Sequence, residues 1–222
     1  MLPDPAFVET DAGRMPALVL RPPDARLALL LAHGAGAGMR HSFMEAVSAA
    51  LASQGIATFR YDFPWMAAGL RRPDPPALLQ ATVRAAVAAA ARALPGLPLF
   101  AGGKSLGGRM TSSAQAAAPL DGVRGLVFLG FPLHPAGRPG TDRAEHLARV
   151  AVPMLFLQGT RDALADAGLI RGVCERLGPL ATLHIVEGAD HSFHVLERSG
   201  RTGDQVIAEL ATTAAQWMDA HR

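Results

Sequence analysis

The chain has 222 residues, half of them hydrophobic and 18% charged, with a formal net charge of +2 at pH 7. That balance excludes a disordered chain, and the length suits one globular domain, residues 1–222, whose core needs no disulfide or metal. The arginines are scattered, Arg71-Arg72 being the densest pair, so no basic stripe marks nucleic acid, and no run approaches the ~20 apolar residues that span a bilayer.

Short apolar runs alternate with alanine-rich stretches. The first ten residues hold two acids and two prolines and no apolar run, so no signal peptide is expected. Strands are predicted at Ala17–Leu20, Leu27–Ala32, Ile56–Tyr61, Leu97–Ala101, Val123–Leu129, Met154–Gln158 and Thr182–Val186. Several are continuously apolar, as strands covered on both faces must be. Between them, Ser42 with Glu45 reads as a capping box opening a helix that Gly55 stops. Asp74-Pro75-Pro76 opens a second helix, which runs to about Ala93. Ile207, Leu210, Ala211, Ala214, Trp217 and Met218 lie on one face of a last helix. Strands alternating with helices imply an α/β fold: a mainly parallel, twisted sheet with helices on both faces and its site at the strands' carboxyl ends. The lone Cys174 cannot form an internal disulfide, in keeping with a cytoplasmic location.

Three of those strand ends carry chemistry. The strand ending at Ala101 runs into Gly102-Gly103-Lys104-Ser105-Leu106-Gly107-Gly108 and then a helix, which is G-x-S-x-G in its strand–turn–helix setting. The sharp turn lifts a serine hydroxyl clear of the sheet, and the helix start behind it offers the Leu106 N–H to a developing oxyanion. The segment also imitates the end of a phosphate-binding loop, but that motif needs glycine at position 98, which is Pro. Asp162 follows the strand Met154–Gln158, and His191 follows Thr182–Val186. A serine hydroxyl is a poor nucleophile without an imidazole to take its proton, and the imidazole needs a carboxylate to hold its tautomer. Ser105, Asp162 and His191 are therefore the expected catalytic residues. Asp166 and Asp190 are the rival carboxylates, and His194 the rival histidine.

His33-Gly34-Ala35-Gly36-Ala37-Gly38 follows the strand Leu27–Ala32. Its glycines let backbone N–H groups approach a ligand, and its spacing fails the dinucleotide pattern because position 39 is Met. Ala35 N–H is the expected second oxyanion donor, with Gly36 next, and His33 is expected to fix this loop. No cofactor and no metal are called for.

Together these residues resemble the α/β-hydrolase superfamily of serine hydrolases, over roughly Ala17 to Trp217. The sequence is most similar to a small, lidless, dienelactone-hydrolase-like group related to the hydrolase-like domain of NSL-complex regulatory subunits. LAHGAGAGMRHSFM (31–44), FRYDFPWM (59–66), AGGKSLGGRM (101–110), GFPLHPAGRP (130–139) and LQGTRD (157–162) carry the likeness. Dienelactone hydrolases use a cysteine nucleophile where this chain has Ser105, which argues against the lactone activity. The regulatory-subunit likeness supplies the rival reading, a non-catalytic interaction domain. With about 22 residues, Phe131 to Val152, between two strands, no large lid is expected. The implied reaction is hydrolysis of an ester or thioester in a small acyl substrate, with Trp65, Phe131 and His134 lining its pocket. Lys104, Arg40 and Arg143 are read as solvated charge.

Overall fold

The computed structural model describes residues 1–222 as an eight-stranded sheet in the order β1-β2-β4-β3-β5-β6-β7-β8. The strands are β1 (Asp4–Thr10), β2 (Gly13–Leu20), β3 (Leu27–Ala32), β4 (Ile56–Tyr61), β5 (Leu99–Lys104), β6 (Val123–Leu129), β7 (Met154–Gly159) and β8 (Ala181–Val186). Only β2 runs against the others. The helices are α1 (Ser42–Ser53), the single turn α2 (Pro64–Ala67), α3 (Pro76–Ala93), α4 (Leu106–Ala117), α5 (Ala167–Leu177) and α6 (Gly203–Ala220).

The apolar runs are strands because both their faces are covered. Along β3, Ala28, Leu30 and Ala32 join one core cluster, with α3, α4 and α5 over it. Leu27, Leu29 and Leu31 join the other, under α1 and α6. The same alternation divides Leu126 and Phe128 from Val127 and Leu129 in β6, and Met154 and Phe156 from Leu155 and Leu157 in β7. The chain leaves β3 toward β4 on one side and returns to β5 on the other. The crevice at the carboxyl ends of β3 and β5 is thus the topological switch point of the sheet. No cap domain is inserted: residues 130–153, between β6 and β7, hold only a 3-10 helix, Asp142–Arg149.

Several local expectations are corrected. β1 lies outside the expected strands; it forms the sheet edge as a hairpin with β2, which begins at Gly13 rather than Ala17. β5 is displaced from Leu97–Ala101 to Leu99–Lys104, because Gly102 and Gly103 pair with Val127 and Phe128 and carry the strand to the residue before Ser105. The cap of α1 is His41, whose ring accepts the Phe43 N–H, so Ser42 is the first helical residue and makes no capping box. Asp74 does not cap α3; its carboxylate accepts the Trp65 N–H at 2.8 Å, and Pro76 starts the helix. A capping box does exist at Thr202 and Gln205, opening α6.

Candidate functional site

β5 delivers Ser105 in a sparsely populated backbone conformation, φ 51° and ψ −116°. Such a conformation costs on the order of 1–3 kcal/mol and persists only where the surroundings enforce it. Here two close approaches enforce it. A Cβ on Gly103, whose φ is +154°, would lie 2.1 Å from the Ala32 carbonyl oxygen. A Cβ on Gly107 would lie 2.5 Å from the carbonyl oxygens of both Ala32 and His33. Glycine at both positions lets the turn sit directly against the end of β3.

The structure brings Ser105, His191 and Asp162 into one hydrogen-bonded chain. Ser105 Oγ lies 2.9 Å from His191 Nε2, and His191 Nδ1 lies 2.7 Å from Asp162 Oδ2. Asp162 is buried and held by two further donors: Oδ1 takes the Leu164 N–H at 2.7 Å, and Oδ2 also takes the Gln158 amide at 2.5 Å. Gln158 Oε1 in turn accepts the Phe131 N–H at 2.9 Å, so its amide orientation is fixed. Nothing in the sequence patterns singled out Gln158, since a polar residue at the end of an apolar strand reads only as a boundary. The rival carboxylates do other work. Asp166 caps α5, accepting from Gly168 and Leu169, and Asp190 accepts from Ser192 and His194 within its own turn. His194 is exposed.

The loop after β3 is held from beneath. His33 is buried; its Nδ1 donates to the Gly34 carbonyl at 2.7 Å and its Nε2 accepts the Phe63 N–H at 3.1 Å. Burial lowers its pKa, which keeps the ring neutral as this pair of bonds requires. Because a trans peptide is planar, tying the Gly34 carbonyl to His33 turns the Ala35 N–H the opposite way. That N–H makes no hydrogen bond within the protein. The Leu106 N–H heads α4, where no intrahelical carbonyl can reach it. A cavity of about 330 Å³ opens at this point, with Ala35, Ser105, Leu106, Arg109 and Arg143 in its lining.

Residues 25–219 match the family model of the alpha/beta hydrolase domain. The chain belongs to the α/β-hydrolase family. Its fold is similar to that of an alpha-beta serine hydrolase homologue from Coxiella burnetii, with TM-score 0.77 and 16% identity over 97% of each chain. It is also similar to a lidless serine hydrolase of the same fold from Xanthomonas campestris, with TM-score 0.75 and 21% identity over 98% of this chain and 95% of that one. A dienelactone hydrolase from Anabaena variabilis gives TM-score 0.75 and 20% identity over 100% and 99%.

The three residues expected to line the pocket of this α/β-hydrolase do not reach the cavity. Trp65 is fully buried and stacks on Phe63 with ring centroids 5.0 Å apart. Phe131 packs on Phe128 and Phe156. His134 is buried, with Nε2 accepting the Asp166 N–H at 3.1 Å. Each follows its strand end as expected, but Trp65 and Phe131 turn into the core, where apolar and aromatic surface gains most, and His134 is held by the Pro135 carbonyl and the Asp166 N–H. A separate depression of about 320 Å³ beside Cys174 lies between α5 and β8, and burial pushes that thiol up to about 11, far from a reactive thiolate.

The His191 turn is anchored by two further groups. Phe193 adopts a left-handed φ of 62° and stacks on Phe43 at 5.7 Å. Lys104 Nζ donates to the His191 carbonyl at 2.6 Å. Burial pulls the Lys104 ammonium down to about 8 from its ordinary 10.5, against the attraction of Asp162 and Asp190. Between those two values the unfolded chain holds a proton that the folded chain has released, so stability gains with rising pH across that window. Relative to a Lys104→Met variant, the native protein should gain on the order of 3 kcal/mol between pH 8 and 10.5. Denaturant midpoints of both proteins at pH 7 and pH 10 measure this; a constant difference between them would show that the ammonium keeps its ordinary titration.

Proposed function

We propose that the chain is a serine hydrolase of ester or thioester bonds in small acyl substrates. The observation that carries this reading is the unbroken Ser105–His191–Asp162 chain, with contacts of 2.9 and 2.7 Å, opening onto a cavity. In this reading Ser105 Oγ attacks the substrate carbonyl carbon while His191 Nε2 takes its proton. Asp162 holds the Nδ1–H tautomer and stabilises the imidazolium. The carbonyl oxygen, now an anion, is received by the Leu106 and Ala35 N–H groups. Collapse expels the alcohol or thiol, which takes the proton back from His191, and leaves an acyl ester on Ser105. Water, deprotonated by the same imidazole, then releases the acid and restores the hydroxyl. The lack of a cap domain suits small or extended acyl groups better than long buried chains.

The competing reading, a non-catalytic interaction domain, expects an occluded or misaligned triad. The aligned hydrogen bonds and the cavity at Ser105 favour hydrolysis instead. A fluorophosphonate probe tests this directly, since it phosphonylates only an activated serine. Labelling should occur on the native protein and vanish in Ser105→Ala. An unlabelled native protein across pH 6 to 9 would favour the interaction domain.

A further inference from the structure

Arg109 lies one turn along α4 from Ser105, its N–H donating to the Ser105 carbonyl at 3.1 Å. Its side chain is part-buried, and its Nε is fully enclosed without a hydrogen-bond partner. No carboxylate lies within ion-pairing distance of it. Desolvation and the neighbouring Arg143 both depress its pKa, so two guanidinium groups stand close enough to repel each other. Arg143, on the 3-10 helix Asp142–Arg149, has no acidic partner either. The nearby His146 supplies no negative charge in either protonation state, and burial and the positive charges of Arg109 and Arg149 push it down to about 4, so it is neutral near pH 7. The single acid in the cavity lining, Asp74, turns Oδ2 to the Trp65 N–H and makes no ion pair with either arginine.

A half-buried cation without an acceptor is costly, and two facing one cavity are more so. An anion in that cavity would offset the repulsion between the two guanidinium groups. A guanidinium presents a planar fork of donors that matches the paired oxygens of a carboxylate or phosphate. We infer that Arg109 and Arg143 form an anion-recognition subsite beside Ser105, and that the substrate is an ester or thioester carrying a carboxylate or phosphate group. This rests on the hydrolase reading above and adds the substrate's charge to it.

The test compares matched pairs of esters at low salt. On the leaving-group side, 4-acetoxybenzoate is set against its methyl ester, and 4-acetoxyphenyl phosphate provides the phosphate arm. On the acyl side, the mono-4-nitrophenyl ester of adipate is set against 4-nitrophenyl hexanoate. The readout is the ratio of anionic to neutral kcat/KM within each protein, which does not depend on how much of a variant is folded. The native ratio should be about 10 or more in at least one pair and shrink as salt screens the charges. It should fall toward one in Arg109→Gln and Arg143→Gln, while Arg109→Lys, which keeps the charge and loses the fork, retains part of it. A native ratio near one in every pair, or one that survives both glutamine variants, overturns the subsite even though neutral esters are hydrolysed. Failure to hydrolyse any ester would count against the hydrolase reading alone. Calorimetry of 4-acetoxybenzoate binding to Ser105→Ala then decides the subsite: binding weakened about 10-fold or more by adding Arg109→Gln supports it, and binding unchanged or absent refutes it.

Discussion

Replacing Ser105 by Ala should lower kcat for 4-nitrophenyl acetate by roughly 10⁶-fold, since loss of a triad serine removes the nucleophile and leaves only binding and oxyanion stabilisation. Stability should change by about 1 kcal/mol or less, because the substitution deletes one hydroxyl whose sole side-chain partner is His191. The molecule supplies its own control. Ser112 Oγ also contacts a histidine, His146 Nε2, at 2.7 Å. That pair has the opposite character: Ser112 is fully buried within α4, and its hydroxyl also donates to the Arg109 carbonyl at 2.9 Å. No carboxylate orients His146, and Ser112 does not line the cavity beside Ser105. Ser112→Ala should therefore cost stability, about 1–3 kcal/mol for leaving a ring nitrogen unpaired, with little change in kcat. Steady-state assays and melting curves on both variants separate the two serines. Full activity in Ser105→Ala, or its loss in a folded Ser112→Ala, would move the nucleophile to Ser112.

The legible part of the sequence is the part where one physical demand dominates. β3 throughout, β6 over residues 125–129 and β7 over residues 154–157 are buried on both faces, so these stretches hold no polar side chain and the runs mark them directly. β1 is an edge strand with most of its residues exposed, and it contains Asp4, Pro5 and Glu9. Nothing in such a segment is apolar enough to announce a strand, and only pairing with β2 makes it one. The end of β5 was hidden for a different reason. Gly102 and Gly103 carry no strand preference, and their role is to let neighbouring backbones come close, which depends on β3 and β6 being beside them.

The site divides the same way. Ser105, Asp162 and His191 could be placed because each combines a reactive side chain with a strand end, and topology gathers strand ends. Which way a side chain points at a strand end is another matter. Trp65, Phe131 and His134 occupy the positions expected of them, yet are buried away from the cavity. Arg109 reads from sequence as one more arginine on a helix surface. Its meaning comes from the enclosure of its Nε and from what its neighbours fail to provide. Gln158 acts only through distances to Asp162 and Phe131 that no local pattern encodes.

Asp162→Asn is the sharpest test of the assigned carboxylate. In the native arrangement Oδ1 accepts the Leu164 N–H, while Oδ2 accepts from both Gln158 Nε2 and His191 Nδ1. An asparagine must keep its carbonyl oxygen toward the Leu164 N–H, which places its NH₂ against two donors. Gln158 cannot turn over to relieve this, because its Oε1 holds the Phe131 N–H. The strain falls on His191, which can accept at Nδ1 only by moving its proton to Nε2. An Nε2–H then faces Ser105 Oγ and cannot receive a proton. In a triad of this kind that tautomer change costs about 10⁴-fold in kcat with the geometry intact. Asp190→Asn should cost at most a few-fold, since the Asp190 Oδ1 that accepts from Ser192 and His194 is replaced by an amide oxygen able to do the same. Measured kcat values in the reverse order would transfer the orienting role to Asp190 and break the Ser105–His191–Asp162 assignment at its buried end.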